Sequence, residues 1–150
     1  MTIPSDIKIR LLSSLVLLSV VIFSLVKGGI FFTVFLIIVS LFMIFEWMRL
    51  ISKNYWIIRG LIASTGLVII LMLETINSLS VITFFLSFLF LTIFSKLTID
   101  GYKMSSFGFI YISLSILTIN WLREADQGML SLIIILSTIF VSDIAAYIFG

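Results

Sequence analysis

Long, nearly uncharged apolar runs separated by short polar breaks leave this chain few ways to fold. They occupy residues 11–26, 30–48, 60–73, 79–94, 109–122 and 130–150, with Arg59 early in the third segment. A helix crossing a bilayer needs roughly 20 apolar residues, and backbone in hydrocarbon must satisfy its own polar groups, as a helix does. The expected fold is therefore an all-α membrane protein, a polytopic bundle of about six transmembrane helices in a single transmembrane domain over residues 1–150. The first run is short for a span and is expected to extend on either side. Composition agrees: 62% of residues are hydrophobic and 11% charged, against about 45–50% and about 25% in soluble domains. No polar stretch is long enough to fold as a soluble domain.

The basic lead-in before residues 11–26 could be read as a secretory signal. No small-x-small cleavage site precedes Lys27-Gly28-Gly29, so a retained helix is expected. With the N-terminus cytoplasmic, the inner segments carry Lys8, Arg10, Arg49, Lys53, Arg59, Lys96 and Lys103, and the outer turns only Lys27 and Arg123. The positive-inside rule favours that orientation, with both termini cytoplasmic. Trp47, Tyr55 and Trp56 suit an interfacial belt, and Arg59 is placed to snorkel. Glu74 with Asn77 marks a turn, residues 95–108 form the longest polar stretch, and residues 123–128 form a tight charged turn.

The net charge of +2 is spread singly between apolar runs and does not suggest nucleic-acid binding. The chain has no cysteine and no histidine. Disulfides, thiolate or imidazole metal sites and a cysteine nucleophile are thereby excluded. Any metal must be held by oxygen, which favours a hard cation such as Mg²⁺.

Two acids lie in the apolar runs near the inner face, Glu46 and Asp143. An acid inside a bilayer costs several kcal/mol (about 2.5–3.5 on insertion scales) unless it meets protein, water or a cation. Glu46 has Arg49 one turn along, so an interfacial ion pair accounts for it. Asp143 has no basic residue near it in its own helix, and Asp143, Ala146, Tyr147 and Gly150 share one helical face at i, i+3, i+4 and i+7. Tyr147 fits a role beside that acid or at headgroup level. Lys96 and Lys103 fit attraction of a polyanionic substrate or a purely topogenic role.

The segments YISLSILTINWLRE (residues 111–124) and SDIAAYIFG (residues 142–150) together resemble the phosphatidate cytidylyltransferase (CDP-diacylglycerol synthase) family. Members carry an aspartate on an apolar helix followed by an Ala-Tyr pair and a glycine, and Asp143, Ala146, Tyr147 and Gly150 match in order and spacing. Arg10-Leu-Leu-Ser-Ser and the Glu46-Trp47 pair resemble the family's N-terminal half. The resemblance implies a reaction of CTP with phosphatidic acid to give CDP-diacylglycerol and pyrophosphate, with Mg²⁺, at the cytoplasmic face of what is expected to be a bacterial inner membrane. It implies Asp143 as catalytic and metal or nucleotide residue, with Tyr147 lining that region as a substrate residue; Lys96 and Lys103 are substrate candidates from their charge alone, and Glu46, Trp47, Ala146 and Gly150 are expected to be structural.

The family's Gly-Arg step, its polar loop rich in Pro, Ser and Lys, and its His-Gly-Gly signature with two aspartates are not in this sequence. The expectation is a fragment or the first portion of a split gene, inactive alone, with a missing C-terminal portion or a second copy as partner. Two other readings stand beside it. One is a non-catalytic membrane protein packing with a partner. The other is a small transporter using Glu46 and Asp143, disfavoured because no internal repeat is seen.

Overall fold

In the computed structural model the described residues are 5–73, 78–98 and 102–149, with side chains described for 16–73, 79–98 and 102–146. Among these residues six helices follow one another: α1 (Ser5–Lys27), α2 (Gly29–Ile51), α3 (Trp56–Met72), α4 (Ser78–Thr98), α5 (Tyr102–Glu124) and α6 (Gly128–Phe149). No strand occurs among the described residues. The stretches Gly29–Ile51, Leu79–Thr98, Tyr102–Glu124 and Gly128–Ala146 are long and apolar enough to cross a membrane. Trp56–Met72 and the part Val16–Lys27 of α1 are shorter apolar helices. The expected turn at Glu74 and Asn77 lies outside the described residues, as do Asp100, Gly101 and Gly150.

The chain divides into two compact units, residues 1–35 with 122–150, and residues 36–121. In the first, α1 packs on α6. The α1–α2 turn needs a left-handed residue, and Gly28 supplies it at φ 63°. The Gly28 amide donates to the Ser24 carbonyl at 2.9 Å, closing α1. Arg123 Nε donates to the Leu25 carbonyl at 3.1 Å and so ties the end of α5 to that turn.

In the second unit, α3 and α4 are the most intimately packed helices. Small residues make this possible, as Gly66 lies directly against Ser87. Arg59, Gly60, Ala63, Ser64, Gly66, Leu67, Ile70 and Leu71 form the buried face of α3. Phe109 of α5 stacks on Phe84 of α4 with centroids 5.4 Å apart.

The described residues between 95 and 108 are helical rather than a polar connection. α4 runs to Thr98 and α5 begins at Tyr102. Two hydroxyls in this region turn back on their helices: Thr98 Oγ1 donates to the Phe94 carbonyl at 2.8 Å and Ser106 Oγ to the Tyr102 carbonyl at 3.2 Å. Thr92 and Ser106 also bond across α4 and α5 at 2.8 Å. The same back-bonding recurs on α6, from Ser131, Ser137 and Thr138 to the carbonyls of Gln127, Ile133 and Ile134.

Candidate functional site

Within residues 36–121 every Lys and Arg belongs to one end of the unit. Arg49 ends α2, Lys53 is in the connector, Arg59 begins α3, Lys96 ends α4 and Lys103 begins α5. These ends are held together by contacts the structure records. Tyr55 meets Phe94 edge-on at 6.4 Å, and Arg59 Nη1 donates to Ser105 Oγ at 3.0 Å. Arg49, Lys53, Lys96 and Lys103 are exposed, so they surround this end with positive charge.

Arg59 departs from expectation. It does not snorkel but is fully buried, at 0% exposure. Its Nη2 donates to the carbonyls of Met48 (3.2 Å), Ser52 (2.6 Å) and Asn54 (3.0 Å). The C-terminal end of α2 presents carbonyls with no partner in the helix and the negative end of its dipole, and a guanidinium answers both. Three carbonyls and a serine make burial of the cation tolerable, while Nε remains without a protein partner. Sequence reasoning missed this role. The signal was an arginine within one turn of the start of a helix preceded by a short connector.

Trp47 also goes inward rather than acting only as an interfacial anchor. Its Nε1 donates to the Met104 carbonyl of α5 at 3.0 Å, and the indole lies against Gly108. Glu46 is exposed and does not pair with Arg49. Arg49 lies instead over the ring of Trp56, 6.0 Å from its centroid.

Asp143 belongs to the other unit. It is exposed on α6, and Ala146, three residues on, is exposed on the same face. Tyr147 lies in α6, but its side chain is outside the described set. No carboxylate, hydroxyl or base among the described residues partners Asp143. The described residues form no cluster of three or more His, Cys, Asp or Glu able to hold a metal ion. They therefore do not by themselves fit a magnesium site.

Apolar helices of membrane-spanning length mark a helical membrane protein with a cation-rich end. The model of the cytidylyltransferase family matches residues 8–150, and the chain belongs to that family. Membership implies nucleotidyltransferase chemistry with CTP as substrate. Comparison with curated proteins and with solved structures gives no match.

Proposed function

We propose that this chain is part of a phosphatidate cytidylyltransferase that forms CDP-diacylglycerol and pyrophosphate from CTP and phosphatidic acid. The observation that carries the reading is the pairing of cytidylyltransferase membership with membrane-spanning helices. An enzyme that uses a soluble nucleotide yet sits in a bilayer has its second substrate there, and a lipid phosphate is the acceptor that suits cytidylyl transfer. A phosphate oxygen of the lipid attacks the α-phosphorus of CTP. The bond from that phosphorus to the bridging oxygen of the β-phosphate breaks, and pyrophosphate leaves.

In this reading all six helices span the membrane with both termini cytoplasmic, in a bacterial inner membrane. The cationic end then faces the cytoplasm, where Lys96 and Lys103 raise the local concentration of polyphosphate. Asp143 belongs to the nucleotide region, with Tyr147 one turn along. Asp143 is the candidate ligand for Mg²⁺, and since the described residues bring no further carboxylates to it, no metal-assisted step is assigned to this chain. Polypeptide beyond these helices, or a second copy, completes the centre.

The test uses membranes from cells expressing this chain together with the polypeptide that completes the centre, supplied with CTP labelled at the α-phosphorus and with phosphatidic acid. Label is expected in CDP-diacylglycerol and is expected to fall about 10–100-fold in Asp143→Asn, with the protein still inserted. Unchanged activity in that variant overturns the role of Asp143. Label transferred to some other lipid phosphate overturns the substrate. Appreciable synthesis by the purified 150-residue chain overturns the need for further polypeptide. One observation favours a second reading, a non-catalytic partner-packing protein: most of α6 is exposed. In that case Asp143→Asn keeps function, because an amide preserves an interhelical hydrogen bond.

A further inference from the structure

On the outer surface of the second unit, α2 and α3 leave an apolar groove of about 470 Å³, lined by Ile38, Leu41, Phe42, Phe45, Trp56 and Ile57. Its shape comes from identifiable contacts. Phe45 lies close against Gly60 of α3, and the ring of Trp56 meets Phe45 edge-on at 6.2 Å. Along α2 the lining extends from Ile38 to Phe45, roughly 10 Å at about 1.5 Å per residue. Phe42 at its rim is 74% exposed. In a bilayer an apolar recess of this kind is filled by hydrocarbon, since water has no polar partner there.

A cation sits at the mouth of the groove. At about 100° per residue, Arg49 lies about 30° from the centre of the groove-lining stripe of α2, and Glu46 about 90° from it. Arg49 lies 6.0 Å from the centroid of Trp56, a lining ring. Among the described residues no carboxylate pairs with Arg49, and exposed Lys53 follows in the connector. A guanidinium lying over an aromatic face keeps its edge N–H groups free, and their fork matches two oxygens of a phosphate.

We infer that this groove seats one acyl chain of an anionic glycerophospholipid of the surrounding leaflet, with the headgroup phosphate on Arg49 and Lys53. The inference does not depend on cytidylyl transfer, and its readout requires no CTP. Charge complementarity selects the occupant: a zwitterionic lipid supplies the same hydrocarbon but a weaker net attraction for two cations.

The experiment places the full chain in vesicles containing phosphatidylglycerol or phosphatidylcholine brominated on the acyl chain, and reads quenching of tryptophan fluorescence. Subtracting the signal of Trp56→Phe isolates Trp56. Brominated phosphatidylglycerol is expected to quench Trp56 severalfold more than brominated phosphatidylcholine at equal mole fraction. Arg49→Gln, at an exposed position, is expected to bring the two lipids within a factor of about two, with helix content unchanged. Equal quenching by both lipids in the unaltered protein overturns the inference. So does a preference that survives in both Arg49→Gln and the Arg49→Gln, Lys53→Gln pair.

Discussion

Gly108 of α5 leaves open the space that the indole of Trp47 fills, and the same indole donates to the Met104 carbonyl one turn earlier in α5. Van der Waals fit and an interhelical hydrogen bond thus join α2 to α5 at one place. Such contacts, rather than a hydrophobic driving force, hold helices together in lipid.

A methyl group at position 108 would overlap the indole, which its hydrogen bond keeps from moving aside. Gly108→Ala is therefore expected to destabilise the protein by about 1–3 kcal/mol. Denaturant titration of helicity in detergent measures this. In a Trp47→Ala background the added penalty should shrink to about 0.5 kcal/mol or less, the sign of a direct coupling. Equal penalties in both backgrounds would mean that the two residues act separately.

Arg59 closes α2 with a planar fork that an ammonium group cannot reproduce. Arg59→Lys is expected to cost about 1–3 kcal/mol through carbonyls left unpaired. Because three of the bonds fix the connector and the end of α2, trypsin should cut after Lys53 markedly faster in the variant. An unchanged cleavage rate would show the connector to be held by other means.

At the α1–α2 turn, Gly28→Ala places a Cβ at φ 63° and against the guanidinium of Arg123. The left-handed conformation alone costs about 1–2 kcal/mol, so the unfolding midpoint should drop. Arg123→Gln should drop it less, because it removes the bond to Leu25 without forcing the backbone.

The proposed orientation is testable because the chain has no cysteine. A single cysteine at Lys53 or Lys103 should react with an impermeant thiol reagent only from the cytoplasmic side. One at Lys27 or Gln127 should react only from the opposite side. Reversed labelling would invert the topology and remove the cytoplasmic placing of Asp143.

The six helices were legible because each apolar run has its own charged or glycine-marked end, as at Lys27-Gly28-Gly29. The described part of residues 95–108 is polar in sequence yet helical, and Thr98 and Ser106 satisfy their hydroxyls on their own helices. The burial of Arg59 is not legible in the sequence. Whether an arginine near a helix start reaches for water or for the previous helix's carbonyls depends on where that helix ends in space. Asp143 was visible as an isolated acid, and the structure adds that it is exposed on α6. What covers it lies in no local pattern.

The back-bonded hydroxyls of α6 carry a consequence for whatever docks there. Ser131, Ser137 and Thr138 have already committed their protons to the carbonyls of the preceding turn. Toward a neighbour they can only accept. Seven residues apart at about 100° each, Ser131 and Thr138 share one face of α6, which thus favours an incoming helix that brings amide, guanidinium or ammonium protons.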